Sequence, residues 1–89
     1  MNEVVYSADA IDDLKSLEKQ IAARIVKKIQ FFSLQTDPLS FAKPLQGLGD
    51  RKYRFRVGDY RAVFRIDKNG EIQILFILKI KHRKDVYFD

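Results

Sequence analysis

Cysteine is absent from this 89-residue sequence, and histidine, methionine and proline are scarce. Without cysteine the chain cannot build a disulfide framework or use a thiolate, and a zinc site would have to do without sulfur ligands. A single histidine, His82, makes an all-protein zinc site less favourable still. There is no N-terminal apolar signal segment, and no apolar run approaches the roughly 20 residues of a spanning helix. We therefore expect a cytoplasmic protein with no membrane partner.

Familiar catalytic patterns are missing as well. The four glycines lie in isolated turns, and nothing resembles a Gly-rich loop that holds phosphates. The carboxylates are scattered, and no strand carries an acidic pair that would hold two metal ions. No arrangement of Ser, His and Asp stands out for acyl transfer. We expect no metal and no cofactor, and a metal-dependent nuclease is disfavoured.

Length, apolar content and charge limit the number of domains, the size of the core and the class of partner. A chain of 89 residues that is 46% hydrophobic predicts one domain, residues 1–89, with one modest core. Residues 1–44 hold six Lys or Arg and six Asp or Glu, whereas residues 45–89 hold eleven and six. The whole net charge of +5 therefore belongs to the second half. This indicates a polyanionic partner or, alternatively, a surface that lysine keeps soluble.

Two helices are predicted after a short β-prone run at residues 4–6. Ser7 or Asp9 can cap the first helix. Its apolar stripe is Ile11, Leu14 and Leu17. The apolar face of the second helix is Ile21, Ile25, Val26, Ile29 and Phe32. This helix should end at Asp37–Pro38, because the residue before proline is pushed out of the helical region, and residues 38–50 are interpreted as a connecting loop.

The second half alternates as strands do. Residues 53–57 and 60–66 are predicted strands joined by a two-residue Gly58–Asp59 turn, and Asn69–Gly70 predicts a second hairpin. The nearly continuous apolar run 72–80 is typical of a central strand covered on both faces. The fold class is therefore α+β, with an N-terminal strand, a two-helix hairpin and then an antiparallel β-meander. The helices should pack on one face of the antiparallel sheet and bury Ile25, Ile29, Phe55, Phe64 and Ile77.

Arginines line one face of the predicted meander. The first turn puts Arg56 opposite Arg61 and Arg54 opposite Val63, and Arg65 falls on the same face. An opposed like-charge pair costs roughly 0.2–1 kcal/mol, yet no carboxylate falls on this face within the two predicted strands. We interpret the cluster as an anion site, because guanidinium groups bind phosphate oxygens in a bidentate manner. The alternative is a solvated outer face.

An apolar patch should adjoin these arginines. If Asn69–Gly70 is a two-residue loop, Leu78 lies opposite Arg61, with Phe76 and Ile74 beside it. No further helix is predicted to shield the patch, so Phe76 and Leu78 are expected to contact a protein partner. The alternative is a fold that closes on itself.

The segment after the last strand holds the remaining candidates, Lys81, His82, Arg83 and Tyr87. The ordinary pKa of histidine, about 6.5, suits proton transfer near neutrality, although a lone histidine is often incidental. Tyr87 can stack on a base or hydrogen-bond a phosphate. Its alternative role is that of a buried aromatic residue that anchors the end of the domain.

Taken together, these residues resemble the RelE/ParE toxin superfamily. The similarity runs from about Glu3 to Tyr87 and includes the order β-α-α-β-β-β and the run that begins at Pro44. It is most specific in two short motifs, Gly-Asp-Tyr-Arg at residues 58–61 and His-Arg-Lys-Asp-Val-Tyr at residues 82–87. The resemblance implies a type II toxin that a protein antitoxin holds inactive. In the RelE branch it implies an endoribonuclease that cuts mRNA in the ribosomal A site without a metal.

The resemblance also assigns residues. Arg61 matches the phosphate-binding arginine of the family, Tyr87 its active-site tyrosine, and His82 with Arg83 the basic pair before it. These four are the expected catalytic residues. The expected RNA and phosphate ligands are Lys52, Arg54, Arg56 and Lys81. The expected antitoxin contacts are Phe76 and Leu78.

Two departures from the family pattern matter. Arg54 and Arg56 stand where relatives often have lysine, and arginine, with a pKa above about 12, is a poor proton acceptor. The residues after Tyr87 are too few for the short C-terminal helix of some members. In the mechanism we expect, the arginines stabilise charge at the phosphate and His82 transfers a proton.

Two other functions stay open. One is a ParE-like inhibitor that binds DNA gyrase and performs no chemistry, and the other is a non-catalytic RNA-binding domain. ParE proteins generally lack the full catalytic set. The presence of Arg61, His82, Arg83 and Tyr87 therefore favours the nuclease.

Overall fold

The computed structural model describes residues 2–45 and 52–85. Its regular elements are β1 (Asn2–Tyr6), α1 (Ala8–Lys15), α2 (Lys19–Ser33), β2 (Ala42–Pro44), β3 (Tyr53–Val57), β4 (Tyr60–Asn69) and β5 (Ile72–His82). Two short 3₁₀ turns lie at Pro38–Phe41 and Arg83–Asp85. The strands form one five-stranded sheet in the order β1-β5-β4-β3-β2. The predicted α+β class and the order of its elements are confirmed. Within the described ranges, no helix is both long and apolar enough to cross a membrane.

The sheet is mixed, which corrects the prediction of an antiparallel sheet. Strands β2 to β5 are antiparallel to their neighbours, as the meander requires. Strand β1 runs parallel to β5 and pairs Val4 with Leu75. The run at residues 4–6 predicts a strand but carries no signal for its partner, which lies about 70 residues further along the chain.

The helices follow the predicted caps and faces with four differences. Ser7 caps α1, and its Oγ accepts the Ala10 N–H at 3.0 Å. α1 ends at Lys15, so Leu17 lies beyond it. Ile11, within α1, is 41% exposed. In α2, Val26 is exposed, and the helix ends at Ser33 rather than at Asp37–Pro38. Apolar periodicity therefore predicted correctly which side of each helix faces the core. It also included one exposed residue in each stripe, Ile11 in α1 and Val26 in α2.

The core lies between the helices and one face of the sheet. The five side chains expected there, Ile25, Ile29, Phe55, Phe64 and Ile77, are all 0–1% exposed. Phe55 stacks on Phe32 of α2 and on Phe64 of β4, with ring centroids 4.6 and 4.2 Å apart. This aromatic stack joins helix and sheet and confirms which face the helices cover.

Part of the predicted 38–50 loop is ordered structure. Pro38–Phe41 forms a 3₁₀ turn, and Ala42–Pro44 forms β2, which pairs with β3. A three-residue edge strand that ends in proline has too little alternation to be recognised from sequence. This strand places Lys43 directly opposite Arg54.

The edge of β5 beyond β1 is closed by the backbone and side chain of Ser7 and by the side chain of Asp13. β1 stops at Tyr6, and Ser7 then donates its backbone N–H to the Ile77 carbonyl at 2.9 Å. The Ser7 hydroxyl donates to the Leu78 carbonyl at 2.8 Å. The Asp13 carboxylate accepts the Ile80 N–H at 2.9 Å. These bonds satisfy backbone groups that a neighbouring strand would otherwise take, and they fix the part of β5 that leads to His82.

Candidate functional site

The β3–β4 hairpin sets the geometry of the site. Its two-residue turn begins with Gly58, whose φ of +58° is a conformation that glycine adopts readily. The register places Arg56 opposite Arg61 and Arg54 opposite Val63, as predicted. Val57 and Tyr60 pack with the core, so by strand alternation Arg56 and Arg61 point to the face away from the helices.

Five residues line a cavity of about 420 Å³ on that face, and we call it the arginine cleft: Phe41, Lys43, Arg54, Arg56 and Arg61. Arg54 is only 6% exposed and Arg61 only 4%. One guanidinium nitrogen of Arg61, Nη1, donates to the carbonyls of Gly58 and Tyr60, both at 3.0 Å. The cleft therefore concentrates cationic groups, two of them buried, in a small volume. Phe41 and Lys43 were not among the candidates because their segment was interpreted as a loop.

Arg65 lies outside the cleft. Its Nε contacts Asp67 Oδ2 at 3.3 Å, and its guanidinium lies 4.8 Å from the centre of the Phe76 ring. The expectation that no carboxylate shares this face within the strands is wrong, because β4 continues to Asn69 and includes Asp67. Arg65 is thus neutralised locally by Asp67.

The second hairpin has a different register from the predicted one. Asn69 pairs with Ile72, so the loop is Gly70–Glu71, with glycine first at φ +63°. The pairing then skips Leu78, since Phe64 pairs with Ile77 and Val63 with Lys79. Arg61 consequently lies opposite Lys81, and the prediction that it faces Leu78 is wrong. A single-residue bulge of this kind cannot be recognised from the sequence of an apolar strand.

The two predicted antitoxin contacts occupy different surroundings. Phe76 lies under Arg65 on the outer face, and Leu78 is the bulged residue whose carbonyl Ser7 binds. Both are half-buried. Four of the more exposed large apolar residues in the described ranges lie elsewhere, on α2 and the following turn: Val26, Phe31, Leu34 and Phe41.

His82 lies on the helix side of the sheet, not in the arginine cleft. It pairs with Tyr60, and the two rings meet edge to face at 5.3 Å. Together with Asp13 and Leu17 they line a second cavity of about 580 Å³, which Lys81 also borders. His82 Nδ1 accepts the Lys84 N–H at 3.2 Å. The structure therefore brings Arg54, Arg56 and Arg61 together in the cleft, places Lys81 opposite Arg61 in the sheet, and leaves His82 on the opposite face.

The remaining predicted site residues are Lys52, Arg83 and Tyr87. Arg83 donates its backbone N–H to the Asp59 carbonyl at 2.7 Å, and its Nε lies 3.7 Å from Asp59 Oδ1. The Lys52 carbonyl accepts the Leu45 N–H at 2.8 Å, which ties the start of β3 to the residue after β2. Tyr87 lies outside the described residues. Among those that are described, no group of three or more His, Cys, Asp or Glu side chains is placed to hold a metal ion.

Comparison with known proteins gives consistent results. A family model described as the ParE toxin of type II toxin–antitoxin systems matches residues 4–87. The chain is 34% identical over 84 residues to Toxin RelG of Mycobacterium tuberculosis, covering 94% of this chain and 93% of that protein.

Solved structures show the same relationship. The RelBE2 toxin–antitoxin complex from Mycobacterium tuberculosis contains a chain with 31% identity and a TM-score of 0.69, covering 91% of this chain and 96% of that one. A RelE–RelB complex from the archaeon Pyrococcus horikoshii matches with 29% identity and a TM-score of 0.70, covering 94% and 97%. A YoeB/ParE toxin from Agrobacterium tumefaciens, at 18% identity and a TM-score of 0.67 over 90% and 96%, shares the fold.

Proposed function

Because this chain belongs to the RelE/ParE superfamily of toxins from type II toxin–antitoxin systems, we propose that it is a metal-independent endoribonuclease that cuts mRNA in the ribosomal A site. The observation that carries the proposal is the arginine cleft. Two nearly buried arginines converge there with Arg56 and Lys43, which suits an RNA phosphate. The cleft supports the nuclease over a gyrase inhibitor, because an inhibitor would perform no phosphoryl chemistry there.

The proposed reaction is an attack of an RNA 2′-hydroxyl on its own 3′-phosphate. The 2′-oxygen forms a bond to phosphorus and loses its proton, while the bond to the 5′-oxygen of the next nucleotide breaks and that oxygen gains a proton. The products are a 2′,3′-cyclic phosphate and a free 5′-hydroxyl. Negative charge accumulates on the phosphorane oxygens. Arg61, supported by Arg54 and Arg56, would stabilise that charge, which is often the largest contribution to such catalysis.

Lys81 is our candidate for protonating the departing 5′-oxygen. It pairs directly with Arg61, and its ammonium group has protons to donate. The sequence predicted proton transfer by His82, but its ring lies on the other face of the sheet. We propose instead that His82 is a positioning residue, which holds the Arg83–Asp85 turn through its bond to the Lys84 N–H. Arg83 would bind an adjacent phosphate and Tyr87 would orient the scissile nucleotide.

We also propose a role for the ribosome in the reaction and a role for an antitoxin in inhibition. Free RNA rarely adopts the in-line geometry of this attack, and the A site would present the mRNA in it. Two of the solved relatives are described as complexes of toxin and antitoxin, so we propose that a cognate antitoxin holds this toxin inactive. Phe76 and Leu78 remain proposed contacts of that antitoxin.

Primer extension on a reporter mRNA after brief toxin induction tests the chemistry. Wild-type toxin should produce breaks inside translated codons, and Arg61→Ala should lower cleavage by about a hundredfold or more. Arg65→Ala is the matched control, because it removes an arginine from the same strand and face but outside the cleft. Arg61→Lys keeps the charge and should retain part of the activity. EDTA, at a level that leaves ribosomes assembled, should not change the rate.

Circular dichroism and thermal melting must show that Arg61→Ala is folded, because Arg61 also bonds two backbone carbonyls. A folded Arg61→Ala variant that stays fully toxic contradicts the nuclease proposal. The alternative, gyrase inhibition, is favoured by the ParE description of the matching family. It predicts that purified toxin blocks DNA supercoiling by gyrase and leaves the reporter mRNA intact.

A further inference from the structure

Phe41 is an exposed aromatic residue that has no role in the proposed chemistry. It ends the Pro38–Phe41 turn, directly before β2, and it is 44% exposed. It lines the arginine cleft together with the four basic residues of that cleft. A large ring that stays open to water beside clustered cations is free to contact a ligand that those cations hold.

The ring of Phe41 ends a column of stacked rings that begins in the core. It stacks on Phe32 with the ring centroids 5.3 Å apart and the planes 28° apart. Phe32 in turn stacks on Phe55, and Phe55 on Phe64, at 4.6 and 4.2 Å. These three rings are 0–6% exposed, so Phe41 rests on closely packed interior. A ring that is already fixed loses little conformational freedom when a ligand stacks on it.

Phe31, the second aromatic contact of Phe41, does not cover the other face of the Phe41 ring. The two rings meet edge to face with their centroids 6.3 Å apart. The Phe31–Phe32 distance is 5.8 Å and the Phe32–Phe41 distance is 5.3 Å, so the three centroids form a nearly equilateral triangle. A ring over the opposite face of Phe41 would lie much further from Phe32. Phe31 therefore lies beside the Phe32–Phe41 pair and leaves the face opposite Phe32 open.

We propose that Phe41 is a substrate-binding residue, on whose open face a base of the mRNA stacks beside the phosphate that the arginines hold. A nucleotide joins its base to its phosphate through one sugar, so a phosphate bound in a cleft of about 420 Å³ brings a base to the wall of that cleft. Phe41 is the aromatic part of this wall, and the other lining residues are cationic. Stacking on an aromatic side chain strengthens the binding of a base by about tenfold. A purine, with two fused rings, covers more of the Phe41 face than a pyrimidine and is favoured at this position.

The inference rests on the proposed endoribonuclease activity, and single-turnover cleavage by the full-length toxin on programmed ribosomes tests it. Phe41→Leu removes the aromatic face but keeps an apolar side chain, whereas Phe41→Trp keeps an aromatic face. Phe31→Leu is the matched control, because it removes a neighbouring ring of similar exposure, 48%, that does not line the cleft. Each toxin is measured on an mRNA with a normal A-site codon and on two mRNAs that lack one base, either that of the nucleotide before the cut or that of the nucleotide after it.

Phe41→Leu should slow cleavage of the normal codon by about tenfold, whereas Phe41→Trp and Phe31→Leu should keep the rate within about threefold of wild type. Removal of the stacked base should also slow the wild-type toxin. On that mRNA Phe41→Leu should cause no further loss, because the ring and the base contribute through one shared contact.

A Phe41→Leu variant that cuts the normal codon at the wild-type rate contradicts the inference. Equal slowing of all three mRNAs by Phe41→Leu also contradicts it, since the ring would then act through the fold and not through a base. If the wild-type toxin does not cut the normal codon, the proposed endoribonuclease activity fails, and this inference fails with it.

Discussion

Arg54 and Arg61 are charged residues that the fold buries almost completely. Burial of a guanidinium is costly unless its N–H groups are bonded, and for Arg61 the carbonyls of Gly58 and Tyr60 provide two such bonds. Both carbonyls belong to the hairpin that carries Arg61, so the side chain is held in place by its own turn. A group fixed before its ligand arrives needs no reorganisation during the reaction, which is the condition for effective stabilisation of a phosphorane.

The two roles considered for His82 predict different results for two amide variants. In His82→Asn the amide oxygen occupies the δ position, where it can accept the Lys84 N–H as Nδ1 does. In His82→Gln the amide lies one bond further out. If His82 positions the turn, Asn should keep the cleavage rate within about threefold of wild type, and Gln should lower it by about tenfold, the loss of one hydrogen bond.

Single-turnover cleavage on programmed ribosomes over a range of pH measures both variants. A positioning role leaves the shape of the pH–rate profile unchanged in either variant. Proton transfer by His82 would instead make both variants slow to a similar degree and would remove one limb of the profile. That second result would return the acid–base role to His82 and exclude the positioning role.

Tyr6 makes the free energy of unfolding depend on pH in the alkaline range. Burial raises the pKa of its phenol above the ordinary value of 10.0. Above about pH 10 the unfolded chain loses this proton while the folded chain keeps it, so the folded state binds more protons and the free energy of unfolding falls as pH rises. Below that pH both states are protonated and the phenol contributes no slope. Urea unfolding should therefore show a smaller alkaline loss of stability for Tyr6→Phe than for wild type, and equal losses would contradict this account.

The two hairpin turns both begin with glycine but differ in their surroundings. Gly58 and Gly70 both open two-residue turns with positive φ, and an alanine at either position costs roughly 1–2 kcal/mol in strain. At Gly58 the added Cβ would also lie 3.3 Å from Arg24 Nη2, whereas at Gly70 nothing lies within 4 Å. Chemical denaturation should show a greater loss of stability for Gly58→Ala than for Gly70→Ala. The double variants with Arg24→Ala should then remove the difference; its persistence would mean that the Arg24 contact is not the cause.

These turns also explain how much of the site the sequence could predict. The β3–β4 register was predicted correctly because glycine first in a two-residue turn leaves one consistent pairing, and that pairing put Arg56 opposite Arg61. The β4–β5 register was wrong because the glycine turn includes Glu71 and the bulge at Leu78 adds one residue. Side-chain period alone cannot detect a bulge within an apolar strand. The same error placed Leu78, rather than Lys81, opposite Arg61.

The net charge counted separately for each half of the chain predicted part of the charged surface but not all of it. It predicted the cationic surface of the meander, where the arginine cleft lies. It also gave the first half no net charge, although the basic α2 and the acidic α1 lie there side by side. Opposite charges cancel in a sum over sequence but not on a folded surface, where each helix presents its own face to a partner. The contrast in charge between α1 and α2 therefore does not appear in the counts.

The parallel pairing of β1 with β5 has a consequence for how the protein is made. Synthesis proceeds from the first strand towards the last, and β5, which lies between β1 and β4, follows every other strand in the chain. Until β5 leaves the ribosome that is producing it, β1 has no neighbour in the sheet, and Lys81 is not yet opposite Arg61. The newborn toxin therefore completes its sheet only when β5, the last of the described strands, has been made, and its order of strands leaves β1 without a neighbour until then.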